Sequence, residues 1–86
     1  MKELKALKNT YATSIQQASI NGTPDIIGCC NGYFFGWELK KCDKSKATPI
    51  QEYVLLKIRN AGGIGEVVRP NTLQEQLERL RKMSEL

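Results

Sequence analysis

The apolar positions near the start of the chain follow the pattern of an amphipathic helix. Five of them fall at the three- and four-residue steps of one helical face: Leu4, Leu7, Tyr11, Ile15 and Ala18. The pattern predicts a helix over the first half of residues 2–18. Its extension to Gln17 is less favoured, because Thr10, Thr13 and Ser14 have low helix propensity.

Residues 25–40 contain two short apolar runs joined by Asn31-Gly32. Asn-Gly between such runs is the strongest short-range signal for a β-hairpin, and a two-residue loop pairs Cys30 with Tyr33. Alternate residues of a strand point to opposite faces. One face is predicted to be buried, with these residues: Ile26, Gly28, Cys30, Tyr33, Phe35, Trp37 and Leu39. Phe35 and Trp37 are therefore predicted to be core residues rather than platforms for stacked bases.

The same register places Asp25 directly opposite Glu38, where two like charges repel. We expect such a pair to hold a cation. Mg²⁺ prefers carboxylate and carbonyl oxygens, so Asp25, Glu38 and the backbone carbonyl of Leu39 are candidate ligands. Lys40 projects to the same side, within reach of a metal-bound water, and the set could orient that water for attack on a phosphodiester. The alternative is a surface salt bridge in which Lys40 offsets two exposed acids.

The second half of the chain predicts a helix, a strand and a final helix. Thr48 is a suitable N-cap and Pro49 suits the first helical position. The helix has an apolar stripe of Ile50, Val54, Ile58 and Ala61 and ends at Gly62-Gly63. A strand over 64–69 would then lie parallel to the second hairpin strand through a right-handed crossover. The last helix carries Leu73, Leu77 and Leu80 on one side, either as core or against a second copy.

The predicted fold class is therefore α/β, with the order α-β-β-α-β-α around a small, mixed, three-stranded sheet. The 86 residues predict one domain over 1–86. The chain has no apolar run of about 20 residues, as a membrane span needs, and no secretory signal, which predicts a cytoplasmic protein. The net charge of +4 fits a polyanionic partner but is weak evidence for one.

Cysteine and histidine usage narrows the possible chemistry. Three cysteines, an odd number, argue against a disulfide framework, and Cys29 and Cys30 are predicted to be small core residues. Without histidine or a Cys-x-x-Cys pair, a zinc site is improbable. Any hydrolytic chemistry must then use carboxylates, lysine and a metal ion.

Three sequence elements together resemble a known nuclease signature: Gly22-x-Pro24-Asp25, Glu38-x-Lys40 and Thr48-Pro49-x-Gln51. In this order they resemble the PD-(D/E)xK superfamily, and more narrowly the small stand-alone form of the virus-type replication-repair nuclease (VRR-NUC) domain. The resemblance covers residues 22–69. It implies a restriction-endonuclease-like core and a homodimer that hydrolyses DNA with Mg²⁺ or Mn²⁺, selectively at Holliday junctions or flap-like structures. The alternative is a non-catalytic DNA-binding or assembly module with the same fold.

The resemblance also implies roles for individual residues. Asp25 and Glu38 would bind the metal and Lys40 would position or activate the attacking water. Gln51 would assist them, or would only complete a capping box with Thr48. The family commonly adds an acid from the first helix, for which Glu3 is the candidate. Its alternative is a charge favourably placed at a helix N-terminus.

Three lysines flank the predicted site and could contact phosphates: Lys41, Lys44 and Lys46. The alternative for these residues is an ordinary solvated loop.

Overall fold

The computed structural model describes residues 2–16 and 21–86. Within these residues the elements are α1 (Lys2–Ala6), β1 (Thr10–Ser14), β2 (Ile26–Cys30), β3 (Tyr33–Leu39), α2 (Pro49–Asn60), β4 (Ile64–Val68) and α3 (Leu73–Ser84). The four strands form one sheet in the order β1-β2-β3-β4. The β1–β2 and β2–β3 pairs are antiparallel, and the β3–β4 pair is parallel. The α/β class and the mixed sheet are confirmed.

The prediction that the first helix extends past its first half is wrong. α1 ends at Ala6, and Thr10–Ser14 forms an edge strand paired with β2. Tyr11, assigned to the apolar helical face, is 70% exposed, whereas Ala12 is buried. Thr10, Tyr11 and Thr13 favour a strand, and pairing with β2 stabilises it. Across residues 2–16 and 21–86 the sheet therefore has four strands rather than three. The predicted helical positions Gln17 and Ala18 lie outside the described residues.

The hairpin prediction is confirmed in its register. Cys30 pairs with Tyr33, and the pairing continues to Ile26 opposite Trp37. Asn31 and Gly32 both have positive φ, 49° and 90°, as the favoured two-residue hairpin turn requires. β2 begins at Ile26, so Asp25 is the residue immediately before the strand rather than its first member.

The helix that follows the hairpin has the predicted start and end, and its predicted apolar stripe is confirmed only in part: Val54 and Ile58 are half-buried, whereas Ala61 is exposed. Thr48 is its N-cap, Pro49 opens it, and it ends at Asn60 just before Gly62. The buried residue of α2 is Leu55, whereas Ile50 is 47% exposed. α2 connects β3 to the parallel strand β4, as the crossover prediction required.

The helices lie on both faces of the sheet. One face carries a continuous core that α1 and α3 cover: Leu4, Ala12, Ile26, Cys30, Phe35, Trp37, Ile64, Val68 and Leu80. α2 covers the other face closely, because a Cβ on Gly36 would lie 3.0 Å from Ile58 Cδ1 and a Cβ on Gly65 would lie 2.7 Å from the Leu55 carbonyl oxygen. The sheet is thus the middle of three layers.

The predicted buried face of the hairpin is confirmed at its centre and wrong at its two ends. Phe35 and Trp37 are almost fully buried, with ring centroids 5.9 Å apart. Tyr33 and Leu39 are 51% and 42% exposed, because they lie at the two ends of β3. The last helix contributes Leu80 to the core with Leu73 and Leu77 packed against it, so its stripe serves the core of this chain.

Candidate functional site at the open end of the hairpin

Asp25 and Glu38 meet at the end of the hairpin opposite its turn. Asp25 directly precedes β2, and its Oδ2 accepts a hydrogen bond of 2.8 Å from the Leu39 backbone N–H. This bond fixes the Asp25 carboxylate beside the end of β3. The carboxyl groups of Asp25 and Glu38 are close enough to share a proton in a hydrogen bond. The prediction that these two acids are neighbours is confirmed.

Glu38 is buried, which the sequence pattern did not indicate. Only 4% of the residue is exposed, because its face of β3 lies under α2. Its Oε1 accepts a hydrogen bond of 2.9 Å from Gln51 Nε2. Its Oε2 is buried and has no hydrogen-bond partner among the described residues. A buried carboxylate oxygen without a donor is costly when the group is charged.

Gln51 connects the acid pair to Lys40. Its Oε1 accepts a hydrogen bond of 3.1 Å from Lys40 Nζ and one of 2.9 Å from the Thr48 backbone N–H. The Thr48 hydroxyl in turn accepts a bond from the Gln51 backbone N–H, which completes a capping box. The two roles weighed for Gln51 are therefore compatible. One side chain caps α2 and holds Glu38 and Lys40.

Lys40 belongs to the site without forming an ion pair in it. Among residues 2–16 and 21–86, none of the salt bridges includes Lys40, Asp25 or Glu38. Lys40 is partly buried, and its charge acts on Glu38 across the Gln51 bridge. The geometry differs from an exposed salt bridge, because Glu38 is buried and Lys40 donates to an amide.

The surroundings of Glu38 raise the pKa of its carboxyl group from 4.5 to about 7. Burial is the largest cause, followed by the charge of Asp25 and by the proton that the two carboxyl groups can share when Glu38 is neutral. The charge of Lys40 opposes the shift but does not cancel it. The negative charge of Glu38 is thus poorly stabilised in the folded protein, and a nearby cation would stabilise it.

These residues fit a hard divalent cation. The two adjacent carboxylates and the unpartnered Glu38 Oε2 supply oxygens of the kind that Mg²⁺ and Mn²⁺ bind. Leu39 lies between Glu38 and Lys40, with its N–H bound to Asp25, so the candidate backbone ligand belongs to the same site. In the part of the chain that the structure describes, no group of three or more His, Cys, Asp or Glu side chains converges. Water would therefore supply the remaining ligands.

The structure does not bring Glu3 to this pair. Glu3 is on α1 and lines a cavity of about 170 Å³ together with Trp37 and Leu39. Those side chains belong to the face of β3 opposite Glu38. Glu3 lies in the first turn of α1, the position expected for a charge that interacts with a helix N-terminus.

The three predicted lysines are exposed and border two cavities beside the site. Lys41 lines the cavity that Asp25 and Lys40 also line, and Lys44 and Lys46 line the next one. Arg69, directly after β4, lines both cavities. Sequence reasoning did not select Arg69. Arg69 directly follows β4, which runs parallel to β3 and ends beside it. This position is the sequence signal that could have indicated a role for Arg69 in the site.

The cysteines do not contribute to this site. All three are free. Cys30 is buried, and its Sγ lies 3.3 Å from the Leu80 carbonyl oxygen, as expected of a small core residue. The prediction that Cys29 is also a core residue is wrong, because Cys29 is exposed on the opposite face of β2.

Comparisons with the profiles of known protein families, with curated proteins and with solved structures each return no match to this chain. Within the described residues, no helix combines the length and apolar character that crossing a membrane requires.

Comparing Gln51→Ala with Thr48→Ala should distinguish the contribution of Gln51 to the N-cap of α2 from its contribution through Glu38 and Lys40. Thr48→Ala is expected to lower the free energy of unfolding by about 1 kcal/mol, the usual contribution of an N-cap. Gln51→Ala should cost about 2 to 3 kcal/mol, because it also leaves a buried Glu38 oxygen without a donor. Urea denaturation at pH 8 measures both losses, with the exposed neighbour Glu52→Ala as control. Equal losses for the first two variants would show that Gln51 acts only as a cap.

Proposed function

We propose that this protein is a metal-dependent endonuclease that hydrolyses DNA phosphodiester bonds. The observation that carries the proposal is the meeting of Asp25, Glu38, Lys40 and Gln51 at one end of the sheet, with Glu38 buried and one of its oxygens unpaired. The resemblance of the same four residues to the VRR-NUC signature supports it.

The two carboxylates are proposed to hold one or more Mg²⁺ or Mn²⁺ ions, with the Leu39 carbonyl as a further ligand. The bound metal would supply Lewis-acid stabilisation of the phosphate and a more acidic water. Asp25 is kept in place by the Leu39 N–H, and Glu38 by the Gln51 amide. A cation between them would offset both the burial of the Glu38 charge and its repulsion by Asp25, the two main causes that raise the pKa of Glu38.

Lys40 is proposed to position the attacking water and to offset the negative charge that develops on the phosphate. Its Nζ is held 3.1 Å from Gln51 Oε1, so the ammonium group is preorganised beside the carboxylates without being neutralised by either of them. A preorganised charge stabilises a transition state without reorganisation during the reaction. Gln51 thereby sets the spacing between the acid pair and the ammonium group of Lys40.

The substrate is proposed to be branched DNA, such as a Holliday junction or a flap, cut by a homodimer that presents two sites. The chain shows no base-reading motif, which favours recognition of DNA shape. A two-fold symmetric pair of sites suits paired cuts on a four-way junction. The alternative, a non-catalytic DNA-binding or assembly module, predicts binding without metal-dependent turnover.

The test is cleavage of junction, flap and linear duplex DNA by the full chain in Mg²⁺ or Mn²⁺, compared with EDTA. Asp25→Asn and Lys40→Met should reduce cleavage about 100-fold or more, because each removes a group that acts on the transition state. Glu52→Gln and Lys57→Met are the matched controls, since they make the same charge changes at exposed positions on α2.

Cleavage that Asp25→Asn and Lys40→Met leave unchanged would contradict the proposed site. Binding of junction DNA without any metal-dependent product would favour the non-catalytic alternative. Light scattering on the same preparation tests the dimer, whose mass should be twice the 9.7 kDa of one chain.

A further inference from the structure

Two open cavities continue from the candidate site along one side of the molecule, and they meet at Arg69. The first, of about 690 Å³, extends from Asp25, and its charged lining residues are Asp25, Lys40, Lys41 and Arg69. The second, of about 480 Å³, lies beside the start of α3, and its charged lining residues are Asp43, Lys44, Lys46 and Arg69. Five cations and two acids thus line a path that begins at the proposed metal-binding residues.

Asp43, the acid that lines the second cavity, holds the loop that carries it. Asp43 Oδ1 accepts a hydrogen bond of 2.8 Å from the Asn71 backbone N–H. This bond attaches the 41–47 loop to the start of α3. The loop that carries Lys44 and Lys46 is therefore held next to Arg69.

Arg69 is held in place through both its backbone and its side chain. Its backbone N–H donates to Thr72 Oγ1 at 2.9 Å, and its carbonyl accepts from the Thr72 N–H at 3.0 Å. The guanidinium Nε donates to the Ser45 carbonyl at 2.9 Å. Thr72 is the N-cap of α3 but makes no capping bond with its side chain, because its hydroxyl bonds to Arg69 instead.

The terminal nitrogens of Arg69 have no partner among the described residues. Neither takes part in a salt bridge or a hydrogen bond there, although the Nε of the same group does. Other arginines of the chain are paired with acids: Arg79 with Glu66, and Arg81 with Glu78 and Glu85. A planar fork of free N–H donors, already fixed in orientation, is the arrangement that binds a phosphate in bidentate fashion.

We infer that Arg69 binds a backbone phosphate of the nucleic acid next to the phosphodiester held at Asp25 and Glu38. The same nucleic-acid strand continues into the second cavity, which Lys44 and Lys46 line. The inference rests on the proposed function for the identity of the ligand. It adds that the substrate is a polynucleotide with phosphates beyond the scissile bond, and that Arg69 is a positioning residue.

The test measures DNA binding in EDTA, where no metal-dependent cleavage can occur. A fluorescein-labelled four-way DNA junction is titrated with the full chain at several NaCl concentrations, and anisotropy gives the Kd. Arg69→Gln should raise the Kd about tenfold at low salt and reduce the slope of log Kd against log[NaCl] by about 1. Arg69→Lys retains the charge and should keep the wild-type slope with a smaller rise in Kd.

Arg81→Gln is the matched control, because it removes the same charge from a residue paired with acids on α3. Equal effects of Arg69→Gln and Arg81→Gln would overturn the inference, as would a wild-type protein that does not bind the junction. If Arg69→Gln weakens binding while the wild type shows no cleavage in Mg²⁺, the assignment of Arg69 to a DNA phosphate stands and the nuclease proposal fails. If the wild type cleaves DNA and Arg69→Gln binds it as tightly as the wild type, the nuclease proposal stands and the inference fails.

Discussion

Glu38→Gln is expected to make the metal-free protein more stable at pH 8, by on the order of 3 kcal/mol. Glutamine has nearly the same shape as glutamate. Its amide oxygen can still accept the bond from Gln51, and its amide nitrogen can donate toward Asp25. The substitution therefore keeps the contacts of Glu38 and removes the buried charge. Stability should rise while the proposed metal site is lost.

The sign of the effect follows from the pKa of Glu38, which is 4.5 ordinarily and about 7 in the folded protein. Between these values the unfolded chain has released a proton that the folded protein still binds. The free energy of unfolding of the wild type therefore falls as the pH rises from about 4.5 to about 7, and then levels off. Glu38→Gln has no proton to lose at this position and should show a smaller fall.

Urea denaturation at pH 5 and pH 8, in EDTA and in Mg²⁺, measures both parts of this prediction. Mg²⁺ should stabilise the wild type at pH 8, because it binds the folded acid pair and not the unfolded chain. It should leave Glu38→Gln unchanged. The control is Glu52→Gln, an exposed acid on α2 that should behave as wild type throughout. A Glu38→Gln variant no more stable than wild type at pH 8 would contradict the burial of an unsatisfied charge.

Gly28→Ala is expected to destabilise the protein by about 3 kcal/mol or more, through overpacking between strands. A Cβ at this position would collide with the carbonyl oxygen of Tyr11 and would lie 2.7 Å from Cζ of Phe35. The first of these groups is backbone of β1, and the second is a fully buried ring. Neither can move without separating β1 from β2 or opening the core.

The matched control for this prediction is Cys29→Ala at the next position of the same strand. Cys29 is exposed on the other face of β2, so its truncation should change the free energy of unfolding by less than about 0.5 kcal/mol. Alanine has a higher intrinsic preference for strands than glycine. A loss of stability in Gly28→Ala would therefore result from the close approach of β1 and not from a lower strand preference. A loss below about 1 kcal/mol would contradict the β1–β2 pairing.

The hairpin and the second helix could be predicted from sequence because local residues specify them. Asn31-Gly32 adopts the turn conformation with little help from the rest of the chain, and the turn fixes the register of β2 and β3. Thr48 and Pro49 specify where α2 begins for the same reason. The neighbouring acids Asp25 and Glu38 followed from that register, as did the side on which Lys40 lies.

The first strand could not be predicted in this way, because its stability depends on a partner distant in sequence. Leu7, Tyr11 and Ile15 have helical spacing, yet the bonds that β2 offers to Thr10–Ser14 outweigh that local preference. The burial of Glu38 depends on packing as well. Gly36 and Gly65 let α2 approach the sheet closely, and their effect appears only when helix and sheet are assembled.

The sequence by itself determined a mixed α/β fold with two acids and a lysine at one end of a hairpin, since turns, caps and alternation are short-range properties. The tertiary structure alone decided how these groups are used. It buried Glu38 under α2 and raised its pKa, made Gln51 the link to Lys40, left Glu3 on the opposite face, and placed Arg69 beside the site. Each of these depends on contacts between distant segments, which no local pattern encodes.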